Sequence, residues 1–239
     1  MKSTSLSFGY HVDILSKFPS IRAGVILAQG LINDPSSESL KKRFLGEQQA
    51  TLARIGDTPL REIESLAAWR KAFRAFGVKP TKYRSAPEAL LRRLTKKGDI
   101  PSINTLVDIG NIISIRYGLP AAVFDVQALQ GGISVHFSDG TERFTPLFQK
   151  EVEHPVQGEV VFSDETDLVV ARRWCWRQSD ESAARTGTTD AVIIVEAQHE
   201  DSEADVRAAL NDWLEMLNEY SGGEFNSAML GPDNPSMTI

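Results

Sequence analysis

The stretch PSINTLVDIGNIISIRYGLPAAVFD, residues 101–125, contains the most apolar helix that the sequence predicts. We expect this helix to run from about Ser102 to Tyr117, because Gly118 suits the left-handed position that ends a helix and Pro120 blocks continuation. Most of its residues are large and aliphatic, so the helix should be buried rather than lie on the surface. The rest of the domain is therefore expected to pack around it.

Three polar residues interrupt this apolar helix. Asn104, Asp108 and Asn111 recur at spacings of four and three residues, which places them on one face. Such groups need hydrogen-bond partners, since an unpaired buried polar group costs about 1–3 kcal/mol. The three residues either form a structural network with neighbouring loops or line a pocket, and the sequence leaves both readings open.

Outward from this stretch, the pattern predicts helices upstream and strands downstream. Upstream we expect a strand at 21–27 and helices at about 34–54, 58–76 and 85–97. Downstream we expect strands at 132–137, 142–147, 159–162, 168–171 and 191–197, and a helix at 202–220. The Asp139-Gly140 pair predicts a hairpin between the first two of these strands. This order favours an α+β fold, in which a helical N-terminal half packs on a mostly antiparallel β C-terminal half.

Composition narrows the class of protein. The chain has 239 residues, of which 24% are charged and 41% hydrophobic, as in ordinary globular proteins. No apolar run is long enough to cross a membrane, and the N-terminus lacks a signal-peptide pattern. The only cysteine, Cys175, cannot form an internal disulfide, so we expect a cytoplasmic protein without membrane partners. The four histidines lack metal-ligand spacing and no glycine-rich phosphate loop is present, so no metal or cofactor is expected.

One segment is strongly basic in an otherwise acidic chain. Residues 61–97 hold eleven Lys and Arg against three Glu, a formal excess of +8, whereas the whole chain carries −6. Such a segment could contact a polyanion, and Lys79, Lys82, Arg84 and Arg93 are the candidate nucleic-acid-binding residues. The alternative is that amphipathic helices simply expose their basic faces to solvent.

The segment RRWCWRQ, residues 172–178, combines tryptophan and arginine. If it is extended, Trp174 and Trp176 point to one side while Arg173, Cys175 and Arg177 point to the other. Tryptophan and arginine together suit recognition of an aromatic ring, a carboxylate or a nucleotide end. Alternatively, the tryptophans pack in the core and the arginines pair with surface acids. We interpret Cys175 as a packing thiol rather than a nucleophile.

These segments carry a family resemblance. The residues Ile103–Asp108, Asn111, Gly118–Pro120 and Phe124-Asp125 resemble two motifs of the B3/B4 module in the phenylalanyl-tRNA synthetase beta subunit, which read roughly R-P-x-N-N-V-V-D-x-x-N-Y and G-x-P-x-H-x-F-D. The resemblance continues upstream in FGVKPTKYRSAPEALLRR and downstream in GEVVFSD and RRWCWRQS. With its tryptophans, the last of these is more similar to free-standing B3/B4 proteins than to the module within the synthetase.

The resemblance implies a domain organisation. It covers about residues 60–198, which we take as a B3/B4-like core. Residues 1–59 would extend the same domain with a strand and a helix, and 199–223 would add a C-terminal helix. The segment 224–239 is rich in Gly, Pro, Asn and Ser and is predicted to be a flexible tail.

The resemblance also implies a function. In the synthetase this module hydrolyses the ester that joins a wrong amino acid, tyrosine, to the tRNA for phenylalanine. By analogy, this chain would bind the aminoacylated end of a tRNA and hydrolyse a mischarged ester in trans, without aminoacylating tRNA on its own. The alternatives are a non-catalytic RNA or tRNA binder, or a pocket for a free amino acid or related metabolite. The candidate substrate-binding residues, for the amino-acid moiety in particular, are Asn104, Asp108, Asn111, Arg92, Trp174 and Arg177.

One departure from the family pattern bears on catalysis. The histidine that the second motif places two residues after its proline is replaced here by Ala122. An alanine can neither accept nor donate a proton, so hydrolysis would rely on a positioned water and hydrogen-bond donors. A carboxylate could replace the imidazole near neutral pH only if burial raised its pKa. The sequence therefore assigns no catalytic residue, and the specificity for tyrosine does not carry over.

Overall fold

A computed structural model of the protein describes residues 6–238. The helices are α1 Val12–Lys17, α2 Glu38–Ile55, α3 Glu64–Ala75, α4 Ala86–Lys97, α5 Thr105–Tyr117 and α6 Glu203–Tyr220, with a short 3-10 turn at Leu60–Glu62. The strands are β1 Ser7–Tyr10, β2 Arg22–Gln29, β3 Ala121–Asp125, β4 Ile133–Phe137, β5 Val160–Ser163, β6 Val169–Arg172, β7 Arg177–Gln178, β8 Ala191–Ala197, β9 Glu224–Leu230 and β10 Ser236–Thr238. In the part of the chain so described, no helix is both long and apolar enough to span a membrane.

The strands form two sheets. The four-stranded sheet has the order β3-β8-β2-β9 and is antiparallel throughout. The six-stranded sheet has the order β10-β1-β4-β5-β6-β7, and its one parallel pair joins β1 to β4. The predicted α+β class with mostly antiparallel strands is confirmed.

The four-stranded sheet is the middle layer of the molecule. Along β8, Val192 and Ile194 pack into the core shared with the six-stranded sheet, while Ile193 and Val195 pack into the core beneath the helices. This alternation follows from the two-residue period of a strand. Because both faces are covered, the whole of β8 is buried, which is why its sequence is a continuous apolar run interrupted only by Glu196.

Helix α5 fills the centre of the helical layer. It packs against α2, α4, α6 and β3, and its isoleucines at 109, 112, 113 and 115 are fully buried. Gly118 ends it in the left-handed conformation with φ of 66°, as predicted. The helix begins at Thr105 rather than near Ser102, because the side chain of Asn104 caps it by accepting a hydrogen bond from the Val107 N–H at 3.0 Å.

The predicted flexible tail is wrong for its described part. Residues 224–230 form β9, which pairs with β2 over its full length, and 236–238 form β10, which pairs with β1. Thus the segments before residue 59 and after residue 198 contribute strands to the same two sheets as the core. The polar composition misled the prediction because β9 is an edge strand that is only partly buried, where polar residues are tolerated.

The predicted 132–147 hairpin is also wrong. Strand β4 pairs with β5 instead, and the segment 142–147 forms only isolated bridges. The Glu142 carboxylate accepts hydrogen bonds from the Ser138 hydroxyl at 2.6 Å and from the Asp139 N–H at 3.1 Å. The loop is therefore closed by a buried side chain, and the chain leaves it without returning along β4.

Candidate functional site

A cleft of about 580 Å³ lies beside the first half of α5. We call it the α5 cleft. Its walls comprise the start of β3 at 121–123, Gln178 of β7, the loop residues 147–148 and 183–186, and five residues of α5 and the preceding loop: Ile103, Asn104, Val107, Gly110 and Asn111. Helix α5 and strand β3, which are consecutive in the chain, thus meet two loops from distant parts of the sequence at one opening.

Asn104 lies in the cleft wall but is already engaged. Its side-chain oxygen caps α5, and its amide nitrogen donates to the Ala184 carbonyl at 3.0 Å. The N–H groups of Thr105 and Leu106 are bonded to Asp34 and Asn33. The first turn of α5 therefore has no free donor for an anion, and Asn104 acts by holding the 183–186 loop against the helix.

Asp108 does not line the cleft. It is fully buried, and its carboxylate accepts hydrogen bonds from the Ser36 hydroxyl at 2.6 Å, the Ile103 N–H at 2.9 Å and the Ser102 hydroxyl. These contacts join the two loops that precede α2 and α5. The three-residue polar stripe thus divides: Asp108 anchors loops, Asn104 caps the helix, and only Asn111 remains open to the cleft.

The polar groups open to the cleft come from three elements. Asn111 is half-buried on α5, and its side chain makes no hydrogen bond within residues 6–238. Gln178 of β7 donates from its amide nitrogen to the carbonyls of Val123 and Ser182, at 2.7 and 2.6 Å, which fixes the side chain. Thr186 adds an exposed hydroxyl. Together these groups can orient a polar ligand or a water molecule.

A smaller cavity of about 100 Å³ adjoins the cleft. We call it the inner cavity. It shares Ala121, Ala122 and Gln178 with the α5 cleft and reaches between the two sheets, among Phe124, Phe162 and other core residues. Ala122, which replaces the histidine of the second motif, lines both spaces.

The inner cavity contains a buried carboxyl group that sequence reasoning missed. Glu196 receives hydrogen bonds at one oxygen, Oε1, from the Tyr10 hydroxyl at 2.6 Å and from Trp174 Nε1 at 2.9 Å. Desolvation by burial raises the pKa of Glu196 to about 7, although both hydrogen bonds oppose the shift. The carboxyl can therefore gain or lose a proton near neutral pH. Its signal in the sequence was a lone charge in the apolar run AVIIVEA.

Two neighbours of Glu196 are held in their neutral forms. Burial and the nearby Glu196 raise the pKa of the Tyr10 phenol and also that of the Cys175 thiol. A thiol with a raised pKa is a poor nucleophile. This supports the interpretation of Cys175 as a packing residue.

The Trp/Arg segment is a turn rather than an extended strand. Arg173 and Trp174 have φ of 47° and 60°, so the chain reverses between β6 and β7. Trp174 is completely buried, whereas Trp176 is half-buried and Arg177 is exposed. Both Trp174 and Arg177 line the inner cavity. The turn explains why the two tryptophans do not share one side.

The predicted cationic residues lie elsewhere. Arg84 and Arg92 line a second opening of about 430 Å³ between α3, α4 and the 3-10 turn, together with Arg61, Arg70 and Lys96. We call it the basic cleft. Its acidic residues include Glu88, which is buried and pairs with Arg70 at 2.6 Å. Arg92 therefore lies apart from Asn104 and Asn111, which line the α5 cleft.

The other predicted nucleic-acid-binding residues differ in whether their side chains are already hydrogen-bonded within the protein. Arg93 is tied to the Asp99 carbonyl at 2.9 Å and to its carboxylate at 3.3 Å. Lys79 and Lys82 are exposed on the loop before α4. Among residues 6–238, no three His, Cys, Asp or Glu side chains are grouped so as to hold a metal ion.

An exposed aromatic residue at the rim of the α5 cleft was also missed. Phe148 is 94% exposed with φ of 63°, and its N–H donates to the Asp180 carboxylate at 3.0 Å. Asp180 in turn pairs at 2.8 Å with Arg185, another cleft residue. Nothing in the local sequence indicates this arrangement, since it depends on two loops meeting in space.

Similar proteins include phenylalanine–tRNA ligase beta subunits. That of Shewanella oneidensis is 31% identical over 94 residues, which are 39% of this chain and 12% of that protein. That of Aquifex aeolicus is 32% identical over 101 residues, 42% of this chain and 13% of that protein. The chain thus matches only about an eighth of the length of these relatives.

A solved structure also resembles this one. An N-terminal fragment of the phenylalanyl-tRNA synthetase beta-subunit from Pyrococcus horikoshii aligns over 94% of this chain and 54% of that chain, with a TM-score of 0.48 and 13% identity.

The family itself is identified from the sequence. The model of the family described as "B3/4 domain" matches residues 68–222, which is more than half of the chain and contains α4, α5, β3, β8 and α6. The resemblance found in the sequence motifs is confirmed. The chain belongs to the B3/4 domain family.

Proposed function

We propose that this protein binds the aminoacylated 3′ end of a tRNA and hydrolyses a mischarged ester in trans. The observation that carries the proposal is the convergence of both family motif segments, α5 and β3, on the α5 cleft. The cleft volume of about 580 Å³ falls within the range of small-molecule sites and would accept an aminoacyl group together with its ribose.

Such a site needs only modest chemistry, because an aminoacyl ester is already activated. The site must bind the ester, orient a water molecule, and let the ribose oxygen leave and take up a proton to become a hydroxyl. Asn111, Gln178 and Thr186 offer amide and hydroxyl groups for orientation. Water would attack the ester carbonyl, and the products would be a free amino acid and an uncharged tRNA.

Glu196 supplies the acid–base group that Ala122 cannot. Its carboxyl lines the inner cavity, which shares Ala122 and Gln178 with the cleft. A carboxyl with a pKa of about 7 can accept a proton from an attacking water at neutral pH. We therefore assign Glu196 as the candidate general base, acting directly or through one water molecule.

The test is deacylation of a panel of mischarged tRNAs. Asn111→Ala should lower the rate at least about tenfold if the amide orients the ester or the water. Asn211→Ala is the matched control, since Asn211 is exposed on α6 and lines none of the three openings. Tight binding of tRNA without hydrolysis of any ester would instead identify a non-catalytic binder. Binding of free amino acids with no response to tRNA would identify a metabolite pocket.

The dependence of the rate on pH tests Glu196 separately. After subtraction of the hydroxide-driven background, the rate should rise through an inflection near pH 7 as Glu196 ionises. Glu196→Gln should abolish this inflection and lower the rate. An inflection that survives in this variant would exclude Glu196 as the base.

A further inference from the structure

Five residues form a cluster of aromatic rings and cations beside the inner cavity, with Arg173 buried at its base and Lys82 and Arg177 exposed. The guanidinium of Arg173 lies 4.0 Å from the ring centre of Tyr83 and 4.4 Å from that of Trp176, and Arg177 lies 4.6 Å from Trp176. The two rings meet edge to face with centroids 5.0 Å apart, and Lys82 is 5.0 Å from Tyr83. We call this set, Lys82, Tyr83, Arg173, Trp176 and Arg177, the aromatic–cation platform.

The backbone at the platform adopts a conformation that large side chains rarely accept. Arg173 and Trp174 are consecutive residues with positive φ, 47° and 60°. Such conformations persist only where the surrounding structure enforces them, and they concentrate at functional sites. Here the turn buries Trp174 in the core while it keeps Arg173 and Trp176 beside Tyr83.

The charge of the platform is largely uncompensated. Arg173 approaches the Glu159 carboxylate at 3.6 Å, but neither Lys82 nor Arg177 forms an ion pair with a residue in the described range 6–238. Both are exposed, and Tyr83 and Trp176 are half-buried beside them. The exposed part of the platform therefore offers the edges of two half-buried rings, the planar guanidinium of Arg177 and the free positive charges of Arg177 and Lys82.

The platform lies between two openings already described. Trp176 and Arg177 line the inner cavity, which shares Ala122 and Gln178 with the α5 cleft. On its other side, Arg84 follows Tyr83 directly in the chain and lines the basic cleft. A strand whose phosphates lie near the basic cleft would pass over the platform before its terminus reached the α5 cleft.

We propose that the aromatic–cation platform stacks the unpaired bases of a single-stranded RNA 3′ end and guides that end toward the α5 cleft. Stacking on aromatic rings and guanidinium planes requires bases that are not already stacked in a duplex, so the platform selects single strands. The direction of the strand rests on the proposed function, because it takes the α5 cleft as the position of the ester. Base stacking on the platform itself needs no hydrolysis.

The experiment uses the full chain and a short single-stranded RNA that ends in cytidine-cytidine-adenosine, followed by fluorescence anisotropy and tryptophan quenching. A duplex of equal length is the comparison ligand. Tyr83→Leu and Trp176→Leu remove the rings, and Arg177→Gln, at an exposed position, covers the case in which Trp176→Leu fails to fold. Tyr220→Leu, at a half-buried tyrosine on α6, is the matched control.

Each platform variant should weaken binding of the single strand by about tenfold or more, as for aromatic residues that stack bases, while the control stays within twofold. Equal affinity for duplex and single strand would contradict the proposal that the platform stacks unpaired bases. So would unchanged affinity for the single strand in Tyr83→Leu and Arg177→Gln. If the single strand binds as proposed but no mischarged tRNA is hydrolysed, the platform stands and the proposed function fails. If the platform variants keep both normal RNA affinity and normal hydrolysis, the platform proposal fails and the proposed function stands.

Discussion

Glu196 links the protonation of the core to the stability of the fold. Its pKa is about 7 in the folded protein and would be near 4.3 in the unfolded chain. Between these values the folded state holds a proton that the unfolded state has released, so stability falls as pH rises through this window. At about 1.4 kcal/mol per pKa unit, the charged form costs roughly 4 kcal/mol.

Glu196→Gln should remove this dependence. The amide oxygen can still accept hydrogen bonds from Tyr10 and Trp174, but the side chain no longer ionises. Urea denaturation at pH 5 and pH 7.5 should therefore show that the variant loses less stability on alkalinisation than the native protein does, by about 2.5 kcal/mol. Identical pH dependence in both proteins would mean that Glu196 titrates normally.

Replacing Asp108 should lower the stability of the protein, whereas replacing Asn111 should leave it nearly unchanged, although both residues lie on α5. Asp108→Ala leaves the hydroxyls of Ser36 and Ser102 and the N–H of Ile103 without their acceptor, so the free energy of unfolding should fall by at least about 2 kcal/mol. Asn111→Ala removes no internal hydrogen bond and should change it by less than about 0.5 kcal/mol. Denaturant titration of both variants provides the check. A stable Asp108→Ala protein would contradict its role as a loop anchor.

At the scale of elements, two helix ends allow a controlled comparison. Gly98 and Gly118 follow α4 and α5 with φ of 82° and 66°. A Cβ at Gly98 would meet nothing within 4 Å, whereas one at Gly118 would lie 2.8 Å from the Ser65 hydroxyl oxygen. Both positions carry the conformational cost of a left-handed alanine, about 1–2 kcal/mol, but only Gly118 adds a clash.

Gly118→Ala should therefore destabilise the protein by about 1 kcal/mol more than Gly98→Ala. Thermal or urea unfolding of the two variants measures the difference. Equal losses would show that Ser65 moves aside without cost.

Elements set by local signals were predicted from sequence, and those set by distant contacts were not. The end of α5 and the bounds of β8 follow from a glycine and an apolar run within the segments themselves. The hairpin after β4 was mispredicted because Glu142 is buried and closes the loop on itself, while β4 pairs with the distant strand β5. The turn at Arg173 was missed because alternation suggests a strand and no glycine marks the positive φ.

For the candidate site too, the sequence indicated features that lie within one segment but not those that depend on contacts between distant segments. Asn111 and the absence of a histidine at Ala122 can be read from one segment each. Their position on one cleft, the neighbouring Glu196 and the separate location of Arg92 depend on how α5, β3, β8 and α4 pack. The spacing of residues predicts which of them share a face of one helix or strand. It does not predict which helices and strands pack against each other.

At the scale of the whole molecule, positive charge is concentrated in one region of an otherwise acidic protein. The chain is acidic at −6, yet the basic cleft gathers five cationic side chains from the segment with an excess of +8. Association with tRNA should therefore be driven by a local contact and weaken steeply with salt, because bound phosphates release counterions.

Reversing two charges in the basic cleft tests this contact. Arg92→Glu with Lys96→Glu should weaken tRNA binding and reduce the slope of log affinity against log salt by about 1–2, since each phosphate contact contributes roughly 0.7–0.9. Lys42→Glu with Lys150→Glu changes the net charge equally at exposed positions outside the basic cleft and should preserve most of the slope. An equal loss in both double variants would indicate that net charge alone governs binding.

The pairing of β1 with β10 has a consequence during synthesis. Ser7, near the beginning of the chain, is the register partner of Thr238, near its end, and Gly9 admits Ser236 so closely that a Cβ there would lie 2.8 Å from the serine Cβ. While the ribosome is still translating, β1 can pair with β4 but leaves its other edge open. Free strand edges invite pairing with other chains, so the nascent protein is exposed to aggregation until residues 236–238 emerge. The speed of translation between β4 and β10, and access of a chaperone to that edge, should then affect the yield of folded protein.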